Sequence, residues 1–464
     1  MFLLRVREEK KYSKSKLLNK TNCDDEKISR ILDKLLNENI VKIVSTDNER
    51  CYKFTFVGVI IVEDIVIKSF PKYMKEYNYI DFKQIINVIE KVNKDKYRDD
   101  YEEDISDEDS LNILPVLLFL IKDYFENGLY DTTQEIIEIN GNNEILWGKT
   151  VNNFYPIIIN NRPFYTEFYT KKRVKDLDNY FRKLHETILT ECFKQLDEVN
   201  LLDLFDFTKV FLTEEAMDDF NDNTENIIEK IKIEKTSQFN TRKLKVLAAM
   251  EKYLSNEGSR FFASDCLSLY GTRSFEYVWE EVCCNVLNDI KDVSLSELNL
   301  PVKLNEKYEN VKDEALKKII DKASWHVFGE EKPKEADRLK PDLISIDELD
   351  NKKIFFIFDA KYYNIQLERG SPLDRQPGIE SIIKQYLYQL AFKDFIELHK
   401  FDDVKNCFLF PIDSCEVENR GFAQLKILNN QDLENIQTIF LPAKIVFKHY
   451  LEDKPMAISK LKIN

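Results

Sequence analysis

Apolar residues near the amino terminus of this chain recur first at helical and then at strand spacing. Ile28 to Leu36 carry a stripe at steps of three and four residues, which predicts a helix with one buried face. Two apolar runs follow, Ile40–Val44 and Tyr52–Ile61, and the polar residues between them predict a turn. The pattern predicts a winged-helix-like and β module over residues 1–75. It leaves open whether this helix contacts DNA or the module docks on another protein.

Helical spacing dominates residues 76–255, which we expect to be mainly helical. The strongly apolar run Leu111–Phe125 is too short to span a membrane and predicts a buried helix. Short apolar runs around the turn-forming residues Asn140–Asn143 predict an insert of short strands near 131–170. Residues 256–464 form the third predicted region.

The third region contains a strand that ends in charged residues. Ile354–Phe358 is a continuous apolar run of strand length. Asp359 and Lys361 follow it two positions apart, so they lie on the same side of an extended chain. A preceding short strand, joined through a turn within Asp347–Asn351, would bring Asp342 beside Asp359. The sequence therefore predicts that two carboxylates and a lysine converge.

Two carboxylates and a lysine at one strand end suit metal-dependent phosphodiester cleavage. Asp342 and Asp359, with the backbone carbonyl of Ala360, would hold Mg²⁺, for which Mn²⁺ could substitute. Lys361 would orient the attacking water and stabilise the charge that builds on the phosphate. Pro341-Asp342 and Asp359-Ala360-Lys361 match the PD-(D/E)xK nuclease signature. An acid two residues before a lysine also occurs in polar stretches, so a solvated strand end is the alternative.

Two predicted helices flank this site. The one after the strand has an apolar stripe that we expect to be buried, formed by Ile379, Ile382, Ile383, Tyr386, Leu387, Leu390 and Phe395. Gln385 borders that stripe, from where its amide could reach the metal or a phosphate. The helix upstream, Phe275–Val282, carries Glu276 and Glu280 one turn apart. Either glutamate could be a third acidic ligand, or both could be solvated residues beside a buried stripe.

Charge and composition narrow the class of protein. The chain has 68 basic and 83 acidic residues, a net charge of −15, and eight of the eleven residues in Asp99–Asp109 are acidic. That run predicts a solvated loop, and the overall charge predicts weak DNA binding unless a partner delivers the DNA. The ten glycines form no phosphate-binding loop, so no nucleotide is expected to bind. Eight scattered cysteines and the lack of a membrane-length apolar run predict a reduced, cytoplasmic protein.

The order of these elements resembles a restriction-endonuclease-like core. More narrowly, three blocks over most of the chain resemble the LlaJI family of restriction endonucleases and the McrC-like nuclease subunits. The blocks are Phe56–Ile60 with Ile67–Tyr73, then Ile145–Val151, and finally the nuclease core. The related nucleases often have a tyrosine four residues after the helix glutamine, whereas here Gln385 is followed by Gln389, with Tyr388 one place early. This departure leaves the role of the helix less defined.

The resemblance implies an α/β protein, α+β overall, whose carboxy-terminal domain cuts double-stranded DNA as the cleaving subunit of a restriction system that defends against phage. It also implies a McrB-like AAA+ GTPase partner, on which residues 1–75 dock, and a companion DNA methyltransferase, with no membrane contact. One alternative is a non-catalytic bridging or regulatory subunit that stimulates the motor. The intact Asp342, Asp359 and Lys361 speak against it. Another is a stand-alone DNA repair nuclease, which the long amino-terminal half disfavours.

Overall fold

The computed structural model describes residues 2–21, 23–46, 49–96, 112–220, 222–255, 267–330, 332–431 and 433–464. It shows a mixed α+β chain, as the sequence predicts. The chain forms two compact units, one of residues 1–60, 65–101 and 270–464, and the other of residues 61–64 and 102–269. The amino-terminal module and the nuclease region therefore share one unit. The acidic run Asp99–Asp109 lies outside the described residues, so its loop stays a prediction.

Short strands and helices alternate in the first part of the chain. They are β1 (Phe2–Arg7), β2 (Lys11–Ser13), α1 (Lys14–Thr21), α2 (Asp25–Asn37), β3 (Val41–Thr46), β4 (Glu49–Phe54), β5 (Val57–Val62), β6 (Ile65–Phe70) and α3 (Tyr79–Lys96). The helix expected at Ile28 to Leu36 is α2, and β3 and β4 form the expected hairpin. The expectation of one strand over Tyr52–Ile61 is wrong. The run is divided between β4 and β5, because the Thr55 amide leaves the ladder and donates to the Ile40 carbonyl.

The middle of the chain contains five helices and five short strands among its described residues. They are α4 (Leu114–Asn127), β7 (Thr133–Ile139), β8 (Glu144–Ile145), α5 (Trp147–Asn153), β9 (Ile157–Ile159), β10 (Arg162–Phe164), β11 (Tyr169–Lys175), α6 (Tyr180–Glu198), α7 (Thr224–Ser237) and α8 (Thr241–Ser255). Strands β7, β11 and β8 form one antiparallel sheet, and β9 and β10 form a hairpin. These strands correspond to the short-strand insert expected near 131–170.

The last part of the chain builds a five-stranded sheet flanked by helices. Its elements are β12 (Leu267–Thr272), α9 (Phe275–Val286), β13 (Lys322–Trp325), β14 (Lys334–Arg338), β15 (Leu343–Leu349), β16 (Lys352–Ala360), α10 (Ile379–Leu398), β17 (Asp403–Ile412), β18 (Glu418–Ala423), β19 (Ile436–Pro442) and α11 (Ala443–Leu451). The strand order is β15-β16-β17-β19-β18. The three central strands are parallel, and the two edge strands run antiparallel to them.

A tight hairpin sets the register of β15 against β16. Asp350 and Asn351 form the two-residue turn with φ angles of 51° and 61°. Asparagine and aspartate tolerate this left-handed conformation better than other non-glycine residues, and it matches the twist of the strands. The register pairs Leu343 with Phe358, which places Asp342 opposite Asp359.

The central strand β16 packs on both faces of the sheet. Phe355 and Ile357 lie in an apolar core with Phe392 and Phe395 of α10. The alternate residues of β16, on the opposite face, are equally buried. Each fully buried side chain of this size contributes about 2–3 kcal/mol through removal of apolar surface from water. A strand fixed on two faces is a rigid support for the charged residues at its end.

The prediction of which residues of α10 are buried is largely wrong. Ile379, Ile383, Leu387 and Leu390 are exposed on this helix. The buried residues are Gln385, Tyr386, Tyr388, Gln389, Phe392, Phe395 and Ile396. Phe392 and Phe395 pack against Phe355 and Ile357 of β16, and Gln385 and Gln389 are buried on the same helix.

Two glycines allow a close approach of β5 and β12. Gly58 and Gly271 have φ angles of 143° and 154°, which residues with a side chain rarely adopt. A Cβ on Gly58 would lie 2.2 Å from the Tyr270 carbonyl oxygen. This contact explains why a glycine interrupts the β-branched run of β5.

Candidate active site

The structure brings Asp342, Asp359 and Lys361 together at one end of the sheet. The Asp342 side chain accepts a hydrogen bond from the Ala360 amide at 3.2 Å and shares another with the Asp359 carboxyl group. The Lys361 amide donates to the Leu409 carbonyl on β17 at 2.9 Å, which extends the ladder past Asp359. The convergence of these three residues, expected from the sequence, is present in the structure.

Lys361 is held against the two acids. Its Nζ lies 2.8 Å from Oδ2 of Asp359, and the two side chains are 21% and 7% exposed. Burial alone would lower the pKa of Lys361, but the charges of Asp359 and Asp342 outweigh burial and raise it. Lys361 is therefore a fixed positive charge, and not a base, at neutral pH.

Burial and the neighbouring Asp342 together raise the pKa of Asp359 to about 8, although Lys361 opposes the rise. Two carboxylates this close cannot both ionise at low energy in a dry site. Without a metal, the pair therefore keeps one proton at neutral pH. A divalent cation would replace that proton and neutralise both charges, so the donor set fits a hard cation such as Mg²⁺.

The two helix glutamates occupy different environments. Glu280 is half-buried, and burial followed by the charge of Asp342 raises its pKa, while Lys291 and Lys361 lower it. Glu276, one turn earlier, is exposed. Among the described residues no group of three Cys, His, Asp or Glu side chains is close enough to hold a metal. Asp342 and Asp359 would supply the side-chain ligands, and Glu280 lies close enough to Asp342 for their charges to interact.

Of the two α10 residues considered for the site, Tyr388 lies beside the acids, and Gln385 makes no described contact with them. Gln385 is fully buried, and within the described part of the chain its side-chain amide has no hydrogen-bond partner. Its backbone carbonyl accepts from Asn406 Nδ2 at 3.2 Å. Tyr388 donates to the Lys340 carbonyl at 2.7 Å. Burial raises the pKa of this phenol, and the charges of Asp342, Asp359 and Glu280 raise it further, which places Tyr388 beside the carboxylates.

Sequence reasoning missed the residues that hold the backbone of Asp342. Its carbonyl accepts hydrogen bonds from Lys291 Nζ and from Cys284 Sγ, the latter at 3.2 Å. Asp289 accepts from the Ile344 amide at 3.0 Å and pairs with Lys291 at 2.9 Å. These contacts fix the start of β15. The spacing Asp289-x-Lys291 carried no signal, because such pairs are frequent in this chain.

The amino-terminal module contacts the residue that follows Lys361. Tyr362 is buried, and its hydroxyl donates to Glu8 and accepts from the Lys72 amide at 3.1 Å. Lys72 also places its Nζ 4.3 Å from the centre of the Tyr362 ring. Burial raises the pKa of Glu8 to about 6, although the Tyr362 hydrogen bond and the charge of Lys72 both lower it. Residues more than 280 positions apart thus meet beside the candidate site.

The seven described cysteines are free thiols. Two of the four histidines are buried acceptors for backbone amides: His185 Nδ1 accepts from Tyr130, and His399 Nε2 accepts from Asn305. Neither belongs to the candidate site. Within the described residues, no helix combines the length and apolar character needed to cross a membrane.

Comparisons with known proteins place this chain in a family. The chain is 28% identical over 434 residues to the type II restriction enzyme BsuMI component YdjA of Bacillus subtilis (strain 168), which covers 88% of this chain and 83% of that protein. A chain of the solved half-complex of Thermococcus gammatolerans McrB AAA+ hexamers with bound McrC aligns over 97% of this chain and 99% of its own, with 10% identity and a TM-score of only 0.37. The profile of the LlaJI restriction endonuclease family matches residues 56–444. This chain belongs to the LlaJI restriction endonuclease family.

Proposed function

We propose that this protein is a Mg²⁺-dependent endonuclease that cuts double-stranded DNA through Asp342, Asp359 and Lys361. The observation that carries the proposal is the paired carboxylates at the strand end, with the pKa of Asp359 raised to about 8 and a lysine 2.8 Å away. Family membership supports a nuclease role. Mn²⁺ should substitute for Mg²⁺, because both accept oxygen ligands in octahedral sites.

Each residue of the site has a part in this chemistry. Asp342 and Asp359, with the Ala360 carbonyl, would hold the cation, which lowers the pKa of water and neutralises the phosphate. Lys361 Nζ would orient the attacking water and stabilise the charge that develops on the phosphate oxygens. Burial of Asp359 keeps bulk water away and strengthens these interactions.

We further propose that the protein works as one component of a restriction system that defends against phage. The relative YdjA is described as a restriction enzyme component, which supports a multi-subunit arrangement. The partner would be a McrB-like AAA+ GTPase that moves DNA, and a companion methyltransferase would protect the host. The lack of a phosphate-binding loop and the net charge of −15 agree with a subunit that neither hydrolyses nucleotide nor binds DNA tightly by itself.

The amino-terminal module is the proposed docking element for this partner. The solvent-accessible residues of α2 include three acids, Asp25, Glu26 and Asp33, and three bases, Lys27, Arg30 and Lys34. A helix that enters the major groove must approach two rows of phosphates, and a helix with no net positive charge gains little from them. The charge balance of α2 therefore favours a protein partner over DNA.

A pair of matched variants tests the nuclease site. Asp342→Ala should abolish Mg²⁺-dependent nicking of plasmid by the complex assembled with its motor. Asp403→Ala is the control, because Asp403 forms an ion pair with Lys405 at 2.9 Å in a second Asp-x-Lys pattern, at the opposite end of the same sheet. Normal cutting by Asp342→Ala would overturn the site assignment.

Lys361→Ala separates catalysis from metal binding. Loss of a charge that stabilises the transition state costs about 3 kcal/mol, so cleavage should slow by roughly 100-fold. Mn²⁺ binding measured by calorimetry should persist, since Lys361 is not a ligand. Loss of the ion together with activity would instead make Lys361 a structural residue.

A further inference from the structure

A basic cleft lies at the root of the hairpin formed by β13 and β14. Its volume is about 630 Å³. It is lined by Lys317, Lys318, Lys322, Glu335, Ala336, Asp337, Arg338 and Lys340. Five of these side chains are positive and two are negative, so the cleft carries a net charge of +3 in a chain whose total is −15. This local reversal of charge is the feature that an anionic ligand would recognise.

Hydrogen bonds and ion pairs leave part of this positive charge free. Lys322 pairs with Glu335 at 2.6 Å, and Arg338 donates to the Lys318 carbonyl at 2.9 Å, which ties the two walls together. Lys340 has no ion-pair partner among the described residues and is exposed. Lys318 is exposed as well, with its nearest acid, Glu314, at 3.9 Å. Lys318 and Lys340 are therefore the cations most available to a ligand.

The cleft opens next to the candidate site. Lys340 precedes Asp342 by two residues, which places their Cα atoms roughly 7 Å apart along an extended chain. The Lys340 carbonyl accepts from Tyr388, so this connection is anchored to α10. An anion in the cleft would lie along the path that leads to the two carboxylates.

The hairpin above the cleft projects into solvent. All described residues from Asp321 to Glu330 are exposed, including Trp325 and Phe328. A two-stranded hairpin alone is only marginally stable in water, so a projecting one gains from a partner. Basic side chains next to exposed aromatic rings suit a nucleic acid, which offers phosphates and apolar sugar and base surfaces together.

We propose that this cleft binds the phosphate backbone of double-stranded DNA beside the scissile bond, and that the hairpin lies along the duplex. The inference rests on the proposed function, because it assumes that DNA is the substrate. Continuity with the carboxylates and the exposed aromatic rings of the hairpin favour the duplex over other anions. A phosphate contact by Lys318 or Lys340 fixes the register of the DNA but reads no sequence.

The test compares two double variants of the full-length protein. In Lys318→Gln/Lys340→Gln the two available cations are removed, and in the control Lys448→Gln/Lys454→Gln two exposed lysines on and after α11 are removed instead. Binding of a fluorescent duplex is followed by anisotropy from low to moderate salt, with Ca²⁺ in place of Mg²⁺ to prevent cutting. The slope of log K against log salt is negative, and it should become less negative by about 2 in the cleft variant, at roughly 0.9 per lost phosphate contact. In the control variant the slope should stay unchanged.

Two results would overturn the cleft assignment. One is an unchanged slope in Lys318→Gln/Lys340→Gln, which would leave an acidic protein surface as the occupant. The other is a wild-type chain that fails to bind duplex even at low ionic strength. Asp342→Ala should bind DNA with the wild-type slope. If Asp342→Ala still cuts DNA, the proposed catalytic site is refuted. The binding result for the cleft does not depend on that outcome.

Discussion

Replacement of Asp359 by Asn should stabilise the metal-free protein while it abolishes cleavage. The asparagine amide can donate to Asp342, and its oxygen can accept from Lys361, so the variant reproduces the hydrogen bonds of the protonated Asp359. It removes only the ability to ionise. The variant is therefore a permanent copy of the form that the metal-free site prefers.

The pH dependence follows from the raised pKa. In the unfolded chain Asp359 ionises near pH 4, whereas in the folded protein it holds its proton up to about pH 8. The folded state thus binds more protons between these values, and stability is lost as pH rises through this window, by about 1.4 kcal/mol per unit. The accumulated loss is roughly 4 kcal/mol at neutral pH as an upper limit, so we expect the variant to exceed wild type by about 2–4 kcal/mol.

Urea unfolding of chelator-treated protein at pH 5, 7 and 8 measures this difference. The gap between Asp359→Asn and wild type should widen with pH. Added Mg²⁺ should close it, because only the wild type regains stability by binding the ion. The same substitution at Asp403, at the other end of the sheet, should show neither effect. A variant that is less stable than wild type at every pH would refute the conclusion that ionisation of Asp359 destabilises the metal-free protein.

Two further outcomes can be measured. Deletion of residues 1–75 should prevent docking and should also loosen the nuclease region, because Tyr362 loses its hydrogen-bond partner Glu8. Hydrogen exchange in the peptide that contains Tyr362 should then become faster. Unchanged exchange would contradict this. Burial lowers the pKa of His185 to about 4. Between pH 7 and pH 5 the unfolded chain therefore binds a proton that the folded chain does not, and the free energy of unfolding should fall by about 2 kcal/mol. His185→Asn keeps an acceptor for the Tyr130 amide and should lack this part of the acid loss; an equal loss in both proteins would contradict it.

Local signals predicted the centre of the site. The apolar run of β16, the turn residues Asp350 and Asn351 and the strand period of two are enough to place Asp342 opposite Asp359. The same reasoning failed for α10, because several faces of that helix are apolar. Its period could not show that the aromatic face would pack on β16. Packing shape decided the orientation, and the sequence does not display packing shape.

Long-range partners were beyond local reasoning. Nothing near Tyr362 indicates Glu8, which is 354 residues away. Lys291 reaches the Asp342 carbonyl only because the segment that follows α9 packs against the start of β15 in the folded chain. Glu280 could be separated from Glu276 only once the helix was placed, since the two are equivalent on a helical stripe. Such contacts depend on how elements assemble and not on the residues beside them.

The position of β19 has a consequence for the cell that makes this protein. This strand follows β16, β17 and β18 in the chain, yet it lies between β17 and β18 and pairs with β17 along its length. β17 in turn supplies the carbonyl that holds the Lys361 amide. Because chains emerge from the ribosome amino terminus first, we expect nascent and prematurely terminated copies that lack β19 to leave one edge of β17 unpaired, close to Asp359. Under the proposed nuclease function, incomplete copies would then leave the host chromosome uncut, without any separate inhibitor.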